Sequence, residues 1–182
     1  MMNDIDIWLE RLTSLYGSQV RRAANSEGIQ PVHVEILQYL SICNRYSNTA
    51  QSLSEYLGQT KGSISQSLKL LEKDGYVERR RCADDKRVTR LYLTPKAKST
   101  VKRISNSLMP NLEGTKPASE AIKSLLKEWQ LTNNHRGFGQ CQSCRYNRSL
   151  DNGKFQCGLT GAPLNKIEIK QLCREHEFDA DD

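Results

Sequence analysis

Apolar side chains recur every three or four residues along most of the chain, and the breaks between those runs set the elements. Ile5, Trp8, Leu9, Leu12, Leu15 and Tyr16 fall at helical spacing, which predicts an amphipathic helix over the first twenty or so residues. Gly28 interrupts it, Pro31 suits a first helical position, and Val34, Leu37 and Leu40 give the next helix a buried stripe. Residues 44–48 read as a polar loop. A short helix over 52–57 ends at Gly58, which turns left-handed at no steric cost, and another starts within three residues. Thr60 is its predicted N-cap, Ile64, Leu68 and Leu71 its buried side, and Gly75 its stop. The runs YVERRR and RVTRLYL then read as two strands, Leu91 and Leu93 alternating with Arg90 and Tyr92. Thr94-Pro95 caps a basic helix to about Met109, with Val101, Ile104 and Leu108 on one side. Residues 110–117 are rich in breakers. Ser119, Ile122, Leu125, Leu126 and Trp129 make a further short helix, followed by the polar loop LTNNHRGFGQ. The fold class expected is mainly α, with a small antiparallel β wing.

The polar side of the second short helix carries Lys61, Ser63, Ser65, Gln66 and Lys69. These are donors and short hydroxyls, able to reach phosphates and base edges. With Thr60 at the helix start and Lys86 and Arg87 at the hairpin tip, they form a candidate DNA-contacting set. A helix-turn-helix followed by a basic hairpin has a direct physical use: the second helix fits the major groove, and the tip puts a cation into the narrower minor groove. The bland alternative is an amphipathic helix pair beside a solvated run of charge.

The run LSEYLGQTKGSISQSLKLLEKDGYVERR, the wing sequence DDKR and the helix opening LTPKAK together resemble the MarR family of winged-helix regulators. The match is close over residues 53–98, while the flanking helices agree in pattern only. Gln59 stands where the family usually has an apolar turn residue. Gly62 sits in the first turn of the second helix, where it costs up to about 1 kcal/mol against alanine. The resemblance implies a homodimer whose terminal helices pack on those of a second copy, at Trp8 to Tyr16 and Ile122 to Trp129. It also implies a pseudo-palindromic double-stranded DNA operator, repression as the commoner mode, and phenolic or lipophilic small-molecule effectors near the dimer interface. Two-fold symmetry suits DNA reading independently, since it presents two helices one turn apart. The alternative is that both faces simply cover a monomer's core.

Charge sharpens the picture. Of the net +6 of the 182-residue chain, residues 61–103 hold 13 Lys or Arg against 5 Asp or Glu, a local +8 that leaves the remainder near −2. Such localisation points to a nucleic-acid surface. The basic residues do not alternate with Trp or Phe on one helix, as a membrane-surface patch would require. An acidic amphipathic start and the absence of any 18-residue apolar window lead to the expectation of a soluble, cytoplasmic chain.

Four of the six cysteines, Cys141, Cys144, Cys157 and Cys173, are spaced C-x2-C-x12-C-x15-C near the C-terminal end. In a reducing compartment such clustering argues for a metal before disulfides. Four thiolates complete a tetrahedral zinc site or hold a four-iron cluster. About 45 residues with few large apolar side chains would need such a staple to fold. The domains expected are therefore 1–134, with the helix-turn-helix at about 52–74 and the wing at about 76–93, and a cysteine-rich metal-binding module at 135–182. The single C-x2-C knuckle, Tyr146 two residues after it, and CGLTGAPL resemble the cluster site of high-potential iron-sulfur proteins over some 35 residues. A [4Fe-4S] cluster is thus the favoured cofactor and Zn2+ the alternative. His176, at C-x2-H from Cys173, is a substitute ligand or a solvated helix-end residue. Cys43 reads as a small buried hydrophobe. Cys82 follows three arginines, so it is either a redox-sensitive thiol or a spare one. His33 and His135 have no partner pattern.

No Ser/His/Asp set, phosphate-cradling glycine loop or open metal position is recognisable, so an enzyme is not expected. The leading expectation is a homodimeric, sequence-specific DNA-binding regulator whose metal centre senses redox state or metal supply by changing dimer geometry. The alternative is an electron-transfer protein, or a zinc-stabilised docking module, that uses its winged helix for nucleic-acid or protein contact.

Overall fold

The computed structural model describes residues 4–83, 85–108, 116–133, 135, 137–151 and 153–178. Helix α1 (Asp4–Glu27) leads through a left-handed Gly28 to α2 (Pro31–Ile42), with Pro31 at the first helical turn. Helices α3 (Ala50–Leu57) and α4 (Lys61–Lys73) form the helix-turn-helix, and Gly58 closes α3 at φ 61°. Thr49, three residues upstream of the start expected for α3, caps it by accepting the Ser52 N–H at 3.2 Å. A hydroxyl in that place satisfies one of the orphan donors of the first turn. Thr60 does the same for α4 through the Ser63 N–H.

Strands β1 (Val77–Arg81) and β2 (Thr89–Leu93) pair antiparallel with Arg79 opposite Leu91. Asp84 of the expected tip lies outside the described residues. Thr94 then caps α5 (Pro95–Leu108) by accepting the Ala97 N–H. Met109, the expected end of that helix, and 110–115 of the breaker-rich connection lie outside the described residues, as do 134 and 136 of the later loop. Helix α6 (Lys116–Thr132) is longer at both ends than the span around Ser119 to Trp129. Pro117 falls in its first turn, which tolerates a missing N–H, so it starts the helix instead of preceding it.

The main core joins Ile36, Leu37 and Tyr39 of α2 to Leu53, Ile64, Leu68 and Leu71 of the helix-turn-helix and to Val77 and Leu91 of the wing. Each fully buried Leu or Ile contributes about 1.5–3 kcal/mol relative to exposure. A second cluster ties Val20, Ala23 and Ala24 of α1 to Val34, Ile104 and Leu108. The apolar face of α1 before Tyr16 packs on neither cluster: Ile5, Trp8, Leu12 and Leu15 are exposed, Trp8 by 70%.

The cysteine-rich segment is built from short pieces. Strand β3 (Gly139–Gln140) pairs antiparallel with β7 (Leu172–Cys173), while β4 (Asn147–Ser149), β5 (Phe155–Cys157) and β6 (Pro163–Leu164) form a three-stranded sheet in that order. Phe138 anchors the segment, buried in the main core with its ring centroid 5.2 Å from Tyr56 and 6.4 Å from Tyr39. Such edge-on aromatic contacts add about 0.5–1.5 kcal/mol beyond burial. Among the described residues, no helix is long and apolar enough to cross a membrane.

Candidate nucleic-acid interface and cysteine-lined cavity

Burying Ile64, Leu68 and Leu71 fixes the rotation of α4 and so decides what it presents outward. Thr60, Lys61, Gln66 and Lys69 are exposed, and Ser63 and Ser65 are half-buried at the margin of that face. At the wing, Lys86 and Arg87 are exposed. Arg87 is clasped by Asp85, its Nε donating at 3.1 Å and Nη2 at 3.0 Å. That donation, reinforced by the Arg87 backbone N–H, holds the Asp85 carboxyl below its usual range. The guanidinium is therefore oriented at the tip before any ligand arrives, with a side chain 91% exposed. Cys82 is half-buried beside the tip, its backbone N–H bonded to Val88 O.

Residues 44–48 form the polar loop expected, but much of it is covered. Asn44, Ser47 and Asn48 are buried, Ser47 to 1% exposure. Each polar group finds a partner, as burial demands. Asn44 Oδ1 accepts the N–H groups of Tyr46 and Ser47 at 3.0 and 2.9 Å, the turn-forming habit of an asparagine. Toward the wing, Asn48 Nδ2 donates to Leu91 O at 3.0 Å and Asn48 O accepts the Leu91 N–H at 2.9 Å. Arg90 Nη1 donates to Tyr46 O at 2.6 Å.

The other side of the same loop faces the cysteines. Leu172 and Cys43 form a parallel bridge in which the Asn44 N–H donates to Leu172 O at 2.9 Å. The Arg174 N–H donates to Ser47 Oγ at 2.9 Å. Cys141, Cys144, Cys157 and Cys173 all line one cavity of about 210 Å3, closed by Asn44, Tyr46, Tyr146 and Leu159 among others. All four are free thiols. Gly158 N–H to Tyr146 O at 2.7 Å and Gly161 N–H to Cys157 O at 2.8 Å fold the loop around Cys157. Gly161 supplies the positive φ of 70° that this turn requires.

The thiols sit in unlike surroundings. Burial, and then the neighbouring sulfurs of Cys144, Cys173 and Cys157, push Cys141 up to about 12. Burial also raises Cys173, against donation from the Asn44 side chain, the Glu175 backbone and the Ser47 hydroxyl. Burial acts on Cys157 too, yet the Thr160 hydroxyl and the Thr160 and Leu159 backbone N–H groups outweigh it and lower its pKa. Donors aimed at sulfur stabilise thiolate, the form that binds metals. Cys43 is apart from this set, buried in the main core and pushed up to about 12.

Donor chemistry and space together test what these residues can hold. Among the described residues, no three His, Cys, Asp or Glu side chains converge as a single metal ion requires. A zinc-thiolate centre with Zn–S near 2.3 Å places its sulfurs ~3.8 Å apart. The four thiols instead line one shared cavity, a donor set of the kind that can hold a polynuclear group. His176 does not line this cavity. Its Nε2 lies 3.1 Å from both Ser143 Oγ and Ser143 O, and its ring stacks edge-on with Phe178 at 4.7 Å. Gly139 makes room for it, since a Cβ there would come within 2.7 Å of three ring atoms. The helix-end or ligand alternatives for His176 thus give way to a packed, structural imidazole.

These elements define a winged helix-turn-helix protein. Residues 27–88 match the family model described as MarR family. Among solved structures of that fold, a MarR transcriptional regulator from Methanosarcina mazei Go1 is 21% identical, with 70% of this chain and 99% of that one covered at a TM-score of 0.55. A MarR-family regulator from Silicibacter pomeroyi is 20% identical over 69% and 86% of the two chains, TM-score 0.56. Wild-type MarR from E. coli is 17% identical over 71% and 98%, TM-score 0.52. No curated protein matches in sequence. The family match covers about a third of the chain, and the solved structures share its winged helix-turn-helix fold.

Proposed function

We propose that the protein is a sequence-specific DNA-binding transcriptional regulator that acts as a homodimer and carries a metal centre on Cys141, Cys144, Cys157 and Cys173. The observation that carries DNA recognition is the orientation of α4: burying Ile64, Leu68 and Leu71 turns Lys61, Gln66 and Lys69 outward, beside a wing whose Arg87 is almost wholly exposed. Gln66 reads a base edge, Thr60, Lys61, Ser63, Ser65 and Lys69 hold phosphates and neighbouring edges, and Lys86 and Arg87 anchor the flanking groove. The exposed apolar faces at Trp8 to Tyr16 and Ile122 to Trp129 support the dimer, because a monomer leaves them in water. Repression is the mode favoured by the resemblance. A lipophilic effector would take the open groove of about 810 Å3 between α3 and the end of α6, lined by Tyr56, Leu126, Trp129 and Phe138.

A [4Fe-4S] cluster is favoured over Zn2+ by the resemblance to high-potential iron-sulfur sites, and the lining of Tyr46, Tyr146, Leu159 and Leu164 beside the four thiols is consistent with it. When bound, such a group supplies a charge and a ligand set that change with oxidation or iron supply. The chain's own contribution is to exclude water with those four side chains and to donate hydrogen bonds to Cys173 and Cys157.

Selection of bound duplexes from a random pool tests the DNA reading. The expected product is a two-fold-symmetric site with half-sites about one helical turn apart; binding with no sequence preference would count against it. Iron, sulfide and zinc analysis of protein purified without oxygen tests the centre. An iron-sulfur protein is brown, with a broad band in the visible, and a zinc protein is colourless.

A further inference from the structure

Residues 44–48 touch the cysteine cavity on one side and the wing on the other. We infer that this segment carries the state of the cavity to the wing within a single protomer, so that loss of the bound group alters how Arg87 and β2 are presented to DNA. The inference rests on the reading of the four cysteines as a metal centre, and it supplies the route by which that centre governs binding.

Each step is a named contact. Asn44 and Tyr46 line the cavity with the four thiols. Cys173 lies between two residues bonded to the segment: the Asn44 N–H donates to Leu172 O at 2.9 Å, and the Arg174 N–H donates to Ser47 Oγ at 2.9 Å. A group held by all four cysteines ties strand β7 to the rest of the cavity wall, and its loss releases the strand end that lies between those two bonds. The segment itself meets the wing directly. Tyr46 O receives Arg90 at 2.6 Å, and Asn48 exchanges two hydrogen bonds with Leu91, at 3.0 and 2.9 Å. Leu91 sits on β2, four residues beyond Arg87 at the tip.

Two further features make the segment able to shift. A cavity of about 550 Å3 lies alongside it, with Asn44, Arg45 and Asn48 on one wall and Leu91 and Leu93 on another. Thr49, the next residue, caps α3, so movement of 44–48 also acts on the helix that seats α4. Buried polar networks of this kind resist partial loss, because a donor left without its partner costs more than the bond contributed. Displacing Leu172 or Arg174 from its bond to the segment therefore favours rearrangement of the loop over quiet persistence. The sequence-based expectation placed the coupling in the spacing between subunits; the contacts place a shorter path inside each one.

The test uses the full chain, loaded without oxygen with ferrous iron and sulfide, or stripped with a chelator. Hydrogen exchange at the Leu91 amide is read in both forms. Stripping is expected to speed it by roughly tenfold or more while the α1 and α5 amides hold their protection. Equal exchange at Leu91 in the two forms overturns the inference, and so does loss of protection throughout the helices, which would make the group a general staple. Operator affinity gives a second readout. Stripping should change it roughly tenfold, within the 5–150-fold usual for coupled sites, and Asn48→Ala, still brown when loaded, should cut that ratio to about twofold or less. An Asn48→Ala protein that keeps the full ratio contradicts the route. Failure of the metal-centre reading has its own signature: no iron or sulfide is retained after loading, and both preparations bind the operator alike, which removes the inference and leaves DNA recognition standing.

Discussion

Arg174 and Glu55 grip each other through two hydrogen bonds, Nε to Oε2 at 2.5 Å and Nη2 to Oε1 at 2.9 Å. The pair joins the residue after Cys173 to α3, and the arginine side chain is only 16% exposed. A bidentate, largely covered ion pair of this sort differs from the solvent-exposed pairs that contribute little. Replacing Arg174 with alanine is expected to cost about 2 kcal/mol. At about 2–4 °C per kcal/mol for a chain of this size, the melting temperature should fall by about 4–8 °C. A double-mutant cycle with Glu55→Ala separates the pair from the loss of side-chain packing; strictly additive losses would show that the two residues do not interact.

The proposed DNA surface carries two kinds of contact. Arg87→Ala removes an exposed cation held at the tip by Asp85, and on the proposed DNA reading should weaken binding to every duplex while reducing the salt slope by about one. Gln66→Ala, on the outward face of α4, should cost about 1–3 kcal/mol at one base pair and leave the salt slope as it was. Titrations at several salt concentrations, on the selected site and its single-base variants, distinguish these outcomes. If both variants behave alike, the division between groove anchor and base reader is wrong.

What could be read from the sequence follows from where local physics dominates. Thr60, Gly58 and the Ile64, Leu68 and Leu71 stripe announce α3, the turn and α4, because caps and helical periodicity act over a few residues. The alternation of Leu91 and Arg90 likewise announced the wing. The loop at residues 44–48 is legible, but its burial is not, because polarity says nothing of what covers it: Asn48 is covered by a strand more than 40 residues away and Ser47 by a segment more than 120 away. The two asparagines, with their turn-forming side chains, were the available hint. Phe138 carried no signal either, since a lone aromatic in a Gly-rich loop has no period to place it.

Stability should depend on pH through His33. Burial lowers the pKa of this α2 imidazole, with Asp74 opposing, and its Nε2 is buried without a partner. The unfolded chain therefore binds a proton near pH 6.5 that the folded chain refuses until lower pH. The contribution is present in full above about 6.5 and is lost as pH falls through the folded value. His176, lowered by burial as well, adds in the same sense. Glu35 acts oppositely, since burial raises its carboxyl pKa and protonation then favours the folded form. Urea melts at about pH 7.5 and 5.5 should show lower stability in acid, and His33→Gln should flatten that difference. An unchanged difference would remove His33 from the account.

The exposed faces of α1 and α6 predict the assembly most directly. Trp8, Leu12, Ile122 and Leu126 lie in water although each sits at helical spacing with its neighbours, and covering one such side chain contributes about 1.5–3 kcal/mol. A two-fold interface contains every residue twice. Leu12→Asp should therefore remove about 3–6 kcal/mol of association and raise the dimer dissociation constant by roughly 10²–10⁴-fold. Leu126→Asp should do the same from the other helix. Neither residue belongs to the two buried clusters, so the monomer should keep its helical content and its cysteine cavity. Sedimentation equilibrium on both variants, with circular dichroism alongside, measures this. Variants that remain dimeric at wild-type affinity would mean that these faces are covered by something other than a second copy.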